Sequence, residues 1–185
     1  MEQDRNQWKE KADAFWKRVQ EAVTKDNGLR AVFRRNAGEL LRTADGRAVT
    51  AFYRMYGGGL VSEQKEDRCF FAVCAACFWK PEEWARAKLL TTGAKSLSPD
   101  DKATFEKRLR VLLDLSWDDD GYFAAKLCRL LKYCKSKGMI VDGKALMIDL
   151  IGWNDDERFV QKRWVRELYR EETKDNSEGV KENVD

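Results

Sequence analysis

The chain has 185 residues, with 35 Lys and Arg against 32 Asp and Glu, no histidine, two prolines, twelve glycines and five cysteines, and it is 43% hydrophobic and 36% charged. A chain of that length buries roughly 70% of its unfolded surface, enough for one domain or two small lobes around a shared core. Without histidine there is no Ser-His-Asp or Cys-His site, no paired-histidine zinc helix and no histidine-bound catalytic iron, so enzymatic chemistry would fall to Asp, Glu, Lys, Cys or Tyr.

The polar start, Met1 to Gln7, is unlike a secretory signal, and the longest apolar run, Cys69 to Trp79, is about half of the roughly 20 residues that span a bilayer. With an odd number of cysteines, this predicts a cytoplasmic protein with reduced thiols. Scarce proline and high charge predict an all-α chain of about eight helices. Trp8, Ala12, Phe15, Val19 and Val23 recur at helical steps and predict a first helix over about residues 4–24, stopped by Asp26-Asn27-Gly28. A short helix over 29–36 puts Leu29, Val32, Phe33 and Asn36 on one face and Arg30 and Arg34 on its flank. The next, 46–56, buries Val49, Phe52, Tyr53 and Tyr56, turns Arg47 and Arg54 outward and ends at three glycines. Residues 66–80 are apolar nearly all round, which predicts a central helix broken by Pro81.

After one or two turns over 82–88, the polar stretch 91–97 reads as a connector between an N-terminal lobe (1–90) and a C-terminal lobe (98–170). Ser98-Pro99-Asp100-Asp101 is a helix start, with a cap, an N1 proline and acids for the dipole. Its helix buries Phe105, Leu109, Leu112 and Leu113. Asp118 to Asp120 open a helix burying Phe123, Leu127, Leu130, Leu131 and Cys134, Asp142 opens one through Leu146 and Leu150 to Trp153, and Asp155 opens the last, with Val160, Trp164 and Leu168. Residues 171–185 lack periodicity and read as a disordered acidic tail.

Charge is segregated along this order. Residues 28–62 hold six arginines against Glu39 and Asp45, and residues 121–144 hold six Lys and Arg against Asp142. Two basic blocks in a nearly neutral chain suggest a polyanion surface, beside the plainer reading of two solvated helix faces. Arg30, Arg34 and Arg35, with Arg47 and Arg54 nearby, and Arg129, Lys132, Lys135 and Lys137 lie on the outward sides of amphipathic helices. A four-residue helical step rises about 6 Å, close to the spacing of phosphates along an extended strand. Such ridges can follow a backbone without reading bases.

Other motifs have plainer readings. Cys74 and Cys77 have redox or zinc spacing but sit in the most apolar helix, and Cys69, Cys128 and Cys134 form no second close pair, so buried free thiols are expected. Asp118, Asp119 and Asp120 point in different directions on a helix and suit its dipole better than a magnesium ion. Gly57-Gly58-Gly59 lacks the Lys and Ser/Thr of a phosphate loop. No metal or cofactor is expected. Two rivals stay open at this point: a small metal-dependent nuclease using Asp118, Asp119, Asp120 and Asp142, and a helical adaptor whose basic faces meet acidic proteins.

Gly28-Leu-Arg-Ala-Val-Phe-Arg-Arg-Asn36, Ala51-Phe-Tyr-Arg54, Arg108-Leu-Arg-Val-Leu-Leu113 and Leu127-Cys-Arg-Leu-Leu-Lys-Tyr-Cys-Lys-Ser-Lys-Gly138 follow one another in a recognisable order. With Val141-Asp142, Leu146 to Leu150, Trp153, Val160, Trp164 and Tyr169, the chain from about Trp8 to Tyr169 resembles the CasB family, the small subunit of the type I-E CRISPR surveillance complex Cascade. Asn36 stands where the family more often has alanine. The resemblance implies an all-helical, non-catalytic subunit, present in two copies along the crRNA-bearing backbone and touching the large subunit. It also implies binding of target and displaced DNA strands in the R-loop through basic residues. Carried over by position, these are Arg30, Arg34, Arg35, Arg54, Arg108, Arg110, Arg129, Lys132, Lys135 and Lys137.

Overall fold

Short polar side chains set four of the described helix starts. Asp26 accepts from Leu29 N at 2.9 Å, Asp45 from Arg47 N at 2.7 Å, Ser98 from Asp101 N at 3.3 Å and Asp142 from Ala145 N at 2.9 Å, each satisfying an otherwise unpaired first-turn amide. In the computed structural model, which describes the backbone of residues 2–117 and 120–170 and side chains from residue 7 onward in that range, the helices are α1 (Glu2–Lys25), α2 (Asn27–Arg35), α3 (Gly46–Tyr56), α4 (Glu66–Ala76), α5 (Leu90–Ala94), α6 (Pro99–Leu113), α7 (Tyr122–Ser136), α8 (Gly143–Ile151) and α9 (Phe159–Tyr169). Short 3-10 turns lie at Glu63–Lys65 and Pro81–Arg86. The all-α expectation holds: among the described residues the only β feature is an isolated parallel bridge between Lys88 and Val141. None of the described helices is long and apolar enough to cross a membrane.

Every residue from Arg68 to Trp79 is buried, as the apolar circumference of α4 requires. One side of α4 and the turn that follows it (Phe70, Val73, Cys77) meets Phe15, Phe33, Phe52 and Tyr56 in an N-terminal core; the other (Phe71, Ala75, Phe78) meets a C-terminal core built on Trp117, Phe123, Trp153 and Trp164. In that second core the rings follow one another at centroid distances of 5.4, 4.8 and 5.0 Å. Trp153 Nε1 donates to Leu115 O at 2.9 Å and Trp164 Nε1 to the Asp149 carboxylate at 2.6 Å, so both buried indoles are satisfied. Burial pushes the Asp149 carboxyl up, while Trp164 and Arg163 pull it the other way.

Helix α8 lies along α4. Glycine at its first position makes this possible, because a Cβ on Gly143 would stand 2.6 Å from Trp16 Cζ2 and 2.7 Å from Ala76 Cβ. At the other end of α8, the buried Arg68 guanidinium donates to the carbonyls of Leu150 at 3.2 Å and Ile151 at 2.8 Å, closing two C-terminal acceptors with a positive charge. Asn36 has a comparable joining role. Its Nδ2 donates to Val32 O at 2.9 Å while its Oδ1 accepts from Asp45 N at 2.8 Å, tying the end of α2 to the cap of α3. An alanine there would do neither.

Several bounds differ from the sequence reading. α4 stops at Ala76 rather than residue 80, because Phe78 N and Trp79 N bond three residues back in tighter turns. Residues 91–97, read as a polar connector, begin inside α5, whose Leu90, Thr91, Gly93 and Ala94 are buried; small side chains let this short helix pack against α9. Tyr53, expected in the core, is 46% exposed. Asp155 opens a turn, accepting from Arg158 N at 2.8 Å, and α9 starts four residues later, after Arg158 at φ 52°. Helix α7 begins at Tyr122, after Asp120 at φ 44° and Gly121 at φ 85°, so Asp120, read as part of the helix start, lies in the turn before it. Asp118, Asp119 and the tail 171–185 lie outside the described residues.

Candidate nucleic-acid interface

Two basic segments far apart in sequence meet where α4 ends. Helix α2 buries Val32 and Phe33, which leaves Arg34 and Arg35 exposed and Arg30 half-buried. Arg30 and Arg34 stand near enough to Cys77 to oppose the rise in its thiol pKa, which burial still pushes up to about 12. From α7, Lys132 Nζ lies 5.8 Å from the Phe78 ring centroid and Lys135 Nζ donates to the Phe78 carbonyl. Both lysines thus sit at the negative end of α4. The seam between α2 and α7 is closed by Cys128, whose Sγ lies 3.2 Å from Ala37 O. Gly38 turns the chain there at φ 103°, where a Cβ would stand 3.3 Å from Cys128.

A second basic feature lies between the antiparallel helices α6 and α7. Lys107, Arg108, Lys126 and Arg129, with Thr104, Val111 and Leu130, line a groove of about 550 Å³ that no acidic residue lines. Arg108 lies 4.5 Å and Lys137 Nζ 5.6 Å from the Tyr133 ring centroid. The Tyr133 hydroxyl is 3.0 Å from both the carbonyl and a carboxylate oxygen of Asp101, and Lys137 Nζ is 2.8 Å from that carboxylate. Lys137 foremost, then Ser98, holds the Asp101 carboxyl below its ordinary range; Asp101 in turn raises Lys137.

The remaining sequence candidates lie elsewhere. Arg47 and Arg54 share another groove of about 570 Å³ with Asp26, Leu29 and Thr50, at the junction of α1, α2 and α3. Arg110 is two residues from Arg108 and so on another side of α6, where it stands with Glu106 at Tyr169 of α9. Lys107 and Lys126 were not singled out from the sequence. The spacing 104, 107, 108, 111 along one flank of α6 was the available signal for Lys107, and Lys126 belonged to the counted basic block.

Two of the candidate acids and all five thiols have defined surroundings. Asp142 caps α8 and Asp120 pairs with Arg42 at 3.0 Å. Among the described residues, no three His, Cys, Asp or Glu side chains gather as a metal site. All five cysteines are free and buried. Burial pushes Cys69 and Cys134 up to about 12 and Cys74 well above its ordinary value, which leaves these thiols protonated at neutral pH.

Among curated proteins, none matches the chain. Solved structures do: a chain of a CRISPR RNA-guided surveillance complex (24% identity, TM-score 0.65, covering 86% of this chain and 91% of that one), CasB from Thermus thermophilus and a CRISPR-associated Cse2-family protein from the same organism (each 21% identity, TM-scores 0.64 and 0.63, covering 85% of this chain and 97% of the other). These likenesses show a shared helical fold. The family model described as CRISPR-associated protein Cse2 matches residues 29–169, from within α2 to the end of α9 and across both basic segments. The chain therefore belongs to the Cse2 (CasB) family of CRISPR-associated proteins.

Proposed function

We propose that the protein is a non-catalytic, cytoplasmic small subunit of a type I-E Cascade complex that grips DNA backbone and stabilises the R-loop. The observation that carries this reading is the meeting of Arg30 and Arg34 with Lys132 and Lys135 around the end of α4. The acid-free α6–α7 groove extends it. Cations on helix flanks contact phosphates, which fixes position without sequence preference. Exchange of a DNA duplex for a guide–target heteroduplex is nearly balanced, so a few such contacts tip it. In this reading target and displaced strands are the ligands, and the partners are the crRNA-bearing backbone, the large subunit and a second copy of the chain.

The test is to combine Arg30→Ala with Arg34→Ala, and Arg129→Ala with Lys132→Ala. Folding, incorporation into the complex, single-strand binding and R-loop lifetime are then measured over a range of salt. Binding should weaken alike for all sequences, with the log–log salt slope flattening by roughly 0.7 for each phosphate that is no longer neutralised. Variants that fold and assemble yet keep the affinity and slope of the parent would falsify the assignment of these residues. Salt-insensitive association with an acidic protein would favour an adaptor instead.

A further inference from the structure

Helix α9 delivers the chain to the flank of α6. Tyr169, 58% exposed, stands beside Glu106 and Arg110 of α6, and Lys95 Nζ donates to the Arg170 carbonyl at 2.9 Å. Residues 171–185 follow directly; they carry six acids, Glu171, Glu172, Asp175, Glu178, Glu182 and Asp185, against Lys174 and Lys181. Further round α6, Lys107 and Arg108 join Lys126 and Arg129 in the groove that no acid lines. Fifteen extended residues reach roughly 50 Å, whereas a helix with its side chains is about 10 Å across, so the groove lies within reach of Arg170.

We propose that residues 171–185 dock in the α6–α7 groove and compete there with DNA for its four cations. This rests on reading the groove as part of the DNA surface. A short tether holds its segment at an effective concentration in the millimolar range. Exposed ion pairs are individually weak and screened by salt, so the docked segment leaves readily. A DNA strand brings many phosphates and displaces it, whereas a brief contact with few phosphates does not. The segment thereby filters casual encounters with nucleic acid from the sustained contact of an R-loop.

Two full-length variants test this. Because the five native cysteines are buried, a nitroxide on Ser177→Cys gives a single label in this segment. At low salt it should broaden the amide signals of residues 104–111 and 126–130, and both added salt and a single-stranded oligonucleotide should restore them. No broadening, or broadening spread evenly over the protein, overturns the docking. In the second variant all six acids become Gln or Asn (Glu171→Gln, Glu172→Gln, Asp175→Asn, Glu178→Gln, Glu182→Gln, Asp185→Asn). Oligonucleotide affinity should rise by about fivefold or more at low salt, with the gap closing as salt increases; an unchanged affinity overturns the competition. Groove broadening without oligonucleotide binding by either form keeps the docking and removes the DNA reading. Oligonucleotide binding with neither broadening nor a gain in the variant does the reverse.

Discussion

The cations of α6 and α7 and the arginines of α2 and α3 carry the same charge at the same helical spacing, yet they are held differently. Lys132 rests on the Phe78 ring, Lys135 on the Phe78 carbonyl, and Arg108 and Lys137 on the Tyr133 ring. Arg34, Arg35 and Arg54 are exposed and, among the described residues, none makes an ion pair or side-chain hydrogen bond. A cation already leaning on a ring loses less of the up to about 2 kcal/mol of side-chain freedom that ordering costs. A free arginine keeps its whole donor fork available but must be ordered by the ligand. The α7 side therefore supplies position, and the α2–α3 side supplies adaptability.

The joint between these two regions is where the largest effect is expected. In Gly143→Ala the new Cβ would press on Trp16 and Ala76 and lift α8 from α4, costing about 2–3 kcal/mol. A lower urea midpoint with an unchanged slope would show it, and a parent-like midpoint would mean that α8 is not seated as described. Tyr133→Leu leaves every charge in place but removes the ring under Arg108 and Lys137 and the hydroxyl at Asp101. It should cost about 1–2 kcal/mol of stability and also weaken DNA binding; unchanged binding would show that pre-positioning contributes nothing.

Asp101→Asn tests the same restraint through pH. The folded Asp101 carboxyl lies below its unfolded value, chiefly through Lys137, so its stabilisation is present above the unfolded carboxylate value of about 3.9 and is lost as pH falls through the folded one. The melting temperature of this variant should be lower than the parent's at pH 7, and the two should converge in acid. On the adaptable side, Arg35→Ala and Arg54→Ala should shift stability by no more than about 0.5 kcal/mol. Circular dichroism melts would check this, and a larger loss would reveal a hidden partner for one of them.

What the sequence made legible was whatever depends on near neighbours. Ser98 and Asp142 mark helix starts because capping needs only a side-chain oxygen and an amide two or three residues on, whereas Asp26, read as part of a stop, and Asp45, read only as an acid, cap α2 and α3 in the same way. The bounds of α3 and the central place of α4 followed from periodicity in the same way. Helix α5 was missed because Thr91, Thr92 and Gly93 have little helical preference of their own; packing against α9 sustains it. The basic residues were legible as outward cations but not as a surface. Whether Arg129 faces Arg108 or Arg34 faces Lys132 depends on how α6, α7 and α4 pack, and no local pattern encodes that. Arg108 and Arg110 were kept together in the sequence reading, although two residues along a helix turn a side chain by about 200°, to the opposite side.

The burial of α4 also orders events during synthesis. Its face toward α8 stays apolar and uncovered until residues 143–151 have been made, some seventy residues after α4 itself. At roughly 5–20 residues per second the ribosome needs several seconds to deliver them. During that interval Phe71, Ala75 and Phe78 lack Leu146, Leu150, Trp153 and Trp164 from their core. A nascent chain halted near residue 100 would thus present a sticky helix to holding chaperones, and the two halves expressed as separate polypeptides would each lack a wall that only the other provides.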